Sequence, residues 1–140
     1  MENQQETMFK LSMFEQQMQQ IQQQIRAVEQ AINEMTNLNF GLDELVGKKG
    51  KEIMAPIGRG IFTKAKLISE DLVVDIGGKN FVTKNIAQTK ELVDSQIKKL
   101  LEAQKDLEKN LEKIGGEFRE IVEKAQEEQQ KEKGRKEKNN

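Results

Sequence analysis

Cysteine, histidine, tryptophan and tyrosine are all missing from this 140-residue chain, and it has a single proline. Without cysteine there is no disulfide framework, and the chain is indifferent to the redox state of its compartment. Losing histidine and cysteine together removes the commonest general base, the thiol nucleophile and the usual zinc ligands. Apolar material is also scarce, at 35% hydrophobic and 4% aromatic. That is too little for a globule of ordinary build, but it suits long helices that bury one narrow stripe. Neither sign of charge dominates: 23 Lys and Arg stand against 24 Asp and Glu, for a net charge of -1. Such a balance gives no reason to expect wholesale nucleic-acid binding. No apolar window approaches membrane-spanning length, and MENQQETMFK lacks the basic start and apolar run of a signal peptide. The expected setting is the cytosol, with one domain over 1–140 and no membrane contact.

The candidates for chemistry are weak. Gly47-Lys48 loosely matches a phosphate loop, but Gly41 is one residue too far upstream and no Ser or Thr follows the lysine. A helix C-cap accounts for it better. Asp71 and Asp75 flank a strand without a cluster of partners for a metal. The many Glu–Lys neighbours three or four apart are helix-surface pairs. No enzyme activity, cofactor or metal is expected.

What is present is a layout. From Leu11 the apolar residues step by 3 and 4 through Phe14, Met18, Ile21, Ile25, Val28, Ile32 and Met35, and on past Asn39 to Leu42 and Val46. A sustained alternation of 3 and 4 is the heptad of a left-handed coiled coil. It predicts a first helix over 3–46, opened by a capping box of Asn3 and Glu6 and stopped at Gly47. The glutamine tracts at 16–17, 19–20 and 22–24 read as a solvated helix face or as a disordered polar run. Met18, Ile21 and Ile25 interrupt them on the heptad schedule, which favours the helix.

Between 51 and 84 the period changes to two. Glu52 to Ile57 and Ile61 to Leu67 read as strands around Gly58-Arg59-Gly60. Leu72 to Ile76 and Phe81 to Thr83 read as two more around Gly77-Gly78-Lys79-Asn80. Pro56 cannot donate to a ladder and belongs at an edge or a strand end. Two hairpins of this size do not stand alone in water, and their edges offer unpaired N–H and C=O groups. They are expected to pair with the same segments of other chains, as an assembly platform. Its apolar candidates are Ile53, Ile57, Ile61, Phe62 and Leu67 in the first hairpin, and Val73, Val74, Ile76, Phe81 and Val82 in the second.

Asn85 with Gln88 makes a second capping box, opening a helix over 85–128. Its seam runs Val93, Ile97, Leu100, Gln104, Leu107, Leu111, Ile114, Phe118, Ile121 and Ala125. Antiparallel pairing satisfies the whole seam in one register. Leu11 meets Ile121, Phe14 meets Phe118, Met18 meets Ile114 and Ile25 meets Leu107, each pair of numbers summing to 132. Gln104, opposite Val28, is a polar register marker. Gly115-Gly116 should soften the helix by about 1 kcal/mol each. The tail over 129–140 has no apolar residue and is expected to be disordered; its lysines read as solubilising, or as a nucleic-acid contact. The fold class is mainly α with a small β segment: a long antiparallel coiled-coil hairpin with two β-hairpins at its base.

Apolar residues off the seam carry the functional reading. Met8, Phe9, Met13 and Val122 gather near the terminal ends of the helices, beside the seam residues Leu11, Phe14, Phe118 and Ile121. A second group, Leu38, Phe40, Leu45 and Leu92, lies at the root, where it could pack under the hairpins. Exposed apolar side chains, especially flexible Met, suit a surface that accepts many shapes. Helix-end fraying or contact with a neighbour is the alternative.

This arrangement resembles the prefoldin alpha subunits of the archaeal type. The local match runs from Ile53 to Leu67, with Pro56-Ile57-Gly58 before Gly60 and a strand ending Lys64-Ala65-Lys66-Leu67. It continues through Leu72-Val73-Val74-Asp75-Ile76-Gly77 and Phe81-Val82. The second hairpin favours alpha over the related beta subunit, which has one. The resemblance implies a hexamer of two alpha and four beta subunits, joined by an intersubunit β-barrel. It also implies an ATP-independent chaperone that holds unfolded polypeptides at its coiled-coil tips and passes them to a group II chaperonin. Met8, Phe9, Leu11, Met13, Phe14, Phe118, Ile121 and Val122 are then the client-contact candidates. A structural coiled-coil adaptor without chaperone activity is the alternative from another class.

Overall fold

Apolar residues spaced by 3 and 4 bury one stripe of a helix, and the two stretches that have this spacing form the two long elements of the molecule. The computed structural model describes residues 2–138, with side chains over 4–135. Helix α1 spans Glu2–Leu45 and helix α2 spans Ile86–Lys138. Between them lie β1 (Glu52–Gly58), β2 (Ile61–Lys66), β3 (Leu72–Asp75) and β4 (Phe81–Lys84). The chain divides into two compact units, one grouping 1–29 with 102–140, the other spanning 30–101.

In the first unit α1 and α2 run antiparallel, and the heptad residues Leu11, Phe14, Met18, Ile21, Ile25 and Val28 are half-buried between exposed neighbours. On α2 the half-buried positions are Gln104, Leu107, Leu111, Ile114, Phe118 and Ile121, as the heptad expects. Gln104 is not left orphaned: its Nε2 donates to Glu29 Oε1 at 3.3 Å. Gly115 and Gly116 do not interrupt α2, and a Cβ added at either meets nothing within 4 Å. No packing inside this unit requires them.

The second unit holds the buried core of the described residues. Leu42, Ile86 and Val93 are each 6% exposed, with Met35, Leu45, Leu72 and Ile97 packed against them. Leu72 is the strand residue that ties the second hairpin to the helices. Asn39 Nδ2 donates to Asp94 Oδ1 at 2.6 Å, and Lys90 forms an ion pair with Asp43. The predicted box at the start of α2 is present: the Gln88 N–H donates to Asn85 Oδ1 at 2.7 Å, and the Asn85 N–H donates to Gln88 Oε1 at 3.2 Å.

The hairpins form two separate two-stranded antiparallel sheets, β1 with β2 and β3 with β4. In the first, Ile53 faces Ala65 and Pro56 faces Phe62, with a shift in register between Pro56 and Gly58. In the second, Val73 faces Thr83 and Val74 faces Val82. Glycine is not alone in the turns: Arg59 (φ 49°) and Lys79 (φ 62°) also adopt the left-handed conformation, beside Gly60 and Gly78.

Four expectations need correction. Helix α1 starts at Glu2, ahead of the cap expected at Asn3, a residue whose side chain lies outside the described ones. It ends at Leu45 because Gly47 turns left-handed (φ 75°), so Val46 is 57% exposed and not part of the seam. Helix α2 continues to Lys138 where a disordered tail was expected from 129. Glu, Gln and Lys are good helix formers, so helix persists there without burial. Finally, Leu38, Phe40 and Leu92 are exposed rather than packed under the hairpins, and only Leu45 of that group joins the core.

Candidate interaction surfaces

Strand alternation gives each hairpin two faces, and neither sheet is wide enough to cover both. In the first hairpin Ile53, Ala55, Ala65 and Leu67 are half-buried, while Ile57, Ile61 and Phe62 are exposed. Met54, 66% exposed, joins Pro56 and Phe62 on one bare face. In the second, Leu72, Val74 and Val82 are half-buried, and Val73, Ile76 and Phe81 are exposed. Six of the ten expected assembly residues are therefore presented to solvent, and Ile53, Leu67, Val74 and Val82 are partly covered. Sequence reasoning missed Met54, which alternates with Pro56 on the face opposite Ile53. It also missed Ile68, 84% exposed in the link between the hairpins. Exposed apolar strand faces with unpaired edges are the physical description of an unfinished sheet.

In the first unit the heptad places Met8 at e, Phe9 at f and Met13 at c, all outside the seam. They are 72%, 67% and 46% exposed. Val122 at e is half-buried, because it leans on the seam rather than away from it. Leu11, Phe14, Phe118 and Ile121 are half-buried, and none is sealed.

Phe14 and Ile121 are reachable because the seam opens along one flank into a groove of about 380 Å³. Met13, Phe14 and Ile121 supply its apolar wall, and Lys10, Gln17, Glu117 and Glu120 surround it. Lys10, Gln17 and Glu117 occupy g positions, and Met13 and Glu120 occupy c positions. The groove is thus the g side of the helix pair. The side chains of Lys10, Glu117 and Glu120 form no hydrogen bond or ion pair among the described residues. The sequence held the signal in its register, which sets Gln17 beside Glu117. Read singly, however, these polar residues look like ordinary solvated helix surface.

Among the described residues there is no group of acidic side chains that could hold a metal, and no helix is long and apolar enough to cross a membrane.

Residues 14–131 match the family model described as Prefoldin subunit. Prefoldin subunit alpha of Methanobrevibacter smithii is 35% identical over 105 residues, which are 74% of this chain and 67% of that protein. Prefoldin subunit alpha 1 of Methanocaldococcus jannaschii is 25% identical over 104 residues, 74% of this chain and 72% of that protein. Among solved structures, a chain of the cryo-EM structure of filamentous PFD from Methanocaldococcus jannaschii superposes with a TM-score of 0.70. The match covers 81% of this chain and 95% of that one at 17% identity, a likeness of fold.

Proposed function

The chain belongs to the prefoldin family, of the archaeal alpha type, and on that premise we propose that it is a subunit of an ATP-independent holdase. Its hairpins join prefoldin beta subunits, as two alpha and four beta chains sharing a β-barrel. Its helix ends hold unfolded polypeptides and pass them to a group II chaperonin. The work is done in the cytoplasm by binding alone, without catalysis, cofactor, membrane or nucleic acid.

One observation carries the reading. The helix ends combine exposed Met8, Phe9 and Met13 with an open groove walled by Phe14 and Ile121. Apolar side chains left in water forgo part of a burial free energy that is about 1.5–3 kcal/mol for a whole side chain, and a passing unfolded chain restores it. Methionine thioethers are pliable enough to fit many sequences. Leu11 and Phe118 in the seam, and Val122 on its other flank, are further client contacts at the same helix ends.

The triple substitution Met8→Ser, Phe9→Ser, Met13→Ser tests this in the assembled complex. All three side chains face solvent, so assembly mass should be unchanged while suppression of aggregation of several unrelated unfolded proteins falls steeply. Undiminished suppression would remove the helix ends from the mechanism. If the unsubstituted complex protects no unfolded protein at all, a structural adaptor is the better description.

A further inference from the structure

The groove at the helix ends is not evenly apolar around its edge. On the α1 side it meets Lys10 and Gln17; on the α2 side it meets two carboxylates, Glu117 and Glu120. Neither carboxylate has an ion-pair or hydrogen-bond partner among the described residues. The α2 wall therefore presents two solvent-exposed carboxylates with no protein partner, directly beside the apolar surface of Phe14 and Ile121. A purely apolar trap gains nothing from that arrangement. A segment that buried a Leu or Phe side chain there and carried an acidic neighbour would meet like charge.

We propose that the groove selects its clients by charge as well as by hydrophobicity. It takes extended polypeptide segments in which a large apolar residue has a lysine or arginine close by in sequence. The apolar side chain enters against Met13, Phe14 and Ile121, and the basic group reaches Glu117 or Glu120. This deepens the reading of the helix ends as the client site and rests on it.

Rim charges of this kind tune encounter and discrimination more than total affinity. Two exposed contacts of this kind give a preference of roughly two-fold to thirty-fold. Salt should erode it, because the screening length falls to about 3 Å at 1 M ionic strength.

The test uses the assembled complex and three short synthetic peptides with one shared apolar core, flanked by lysine, serine or glutamate. The expected order of affinity at low salt is lysine, then serine, then glutamate, with the extremes drawing together at high salt. Glu117→Gln with Glu120→Gln should collapse the difference and leave the serine-flanked peptide bound as before, a result that damage to the fold would not give. Equal binding of the lysine and glutamate peptides overturns the charge selection while leaving the client site intact. A preference that survives the double substitution also overturns it, because the rim would then not be its source. Failure of all three peptides to bind removes the client site itself.

Discussion

Asn85 shows how much one side chain can decide. It sits where the chain leaves β4 and enters α2, and its Oδ1 accepts from the Gln88 N–H at 2.7 Å while Gln88 returns the bond to the Asn85 N–H. Two backbone donors at the helix start are thereby satisfied. Asn85→Ala removes one and releases the other, and should destabilise the protein by about 1 kcal/mol, read as a lowered denaturant midpoint with unchanged slope. This box was legible in the sequence because both partners are polar residues at the required spacing. The left-handed Arg59 and Lys79 were not. Each stands next to a glycine that explains the turn well enough, and nothing in either side chain signals the conformation. The rim of the groove was missed for a related reason: Lys10 and Glu117 are far apart in sequence, and each alone is an unremarkable surface charge.

At the scale of elements, the heptads foretold both helices, their antiparallel sense and the half-buried seam, because a period of 3.5 is a global property of dozens of residues. Their ends were harder to read. Helix α1 stops at Leu45 through the backbone geometry of Gly47, and α2 runs on to Lys138 through helix propensity without burial. An expectation based on burial cannot see that second effect. The same reasoning applies to Gly115 and Gly116. They lie inside α2 with ordinary helical φ and open space where a Cβ would go, so nothing within the first unit rewards their presence. Gly115→Ala and Gly116→Ala should each stabilise the helix by about 0.8–1 kcal/mol. Slower amide hydrogen exchange around 110–125 would record the change. Unaltered exchange would mean that this stretch opens by some route the glycines do not control.

For the whole molecule the informative contrast is between what is buried and what is not. Leu42, Ile86 and Val93 are the buried apolar residues among those described, whereas Met54, Ile57, Ile61, Phe62, Val73, Ile76 and Phe81 are all more than half exposed. A chain that leaves its strand residues bare while burying so little elsewhere is built to be completed by other chains. The sequence announced the two hairpins through its change of period and its glycine turns, and the structure adds which side chains remain uncovered. Mass measurement under native conditions tests the central claim most directly, on the chain mixed with a prefoldin beta subunit and on a form lacking residues 72–83. The account predicts a hexameric complex for the full chain and no such complex once the second hairpin is gone. A full-length chain that stays a folded monomer at micromolar concentration beside its partner, or an unchanged hexamer after the deletion, would contradict it.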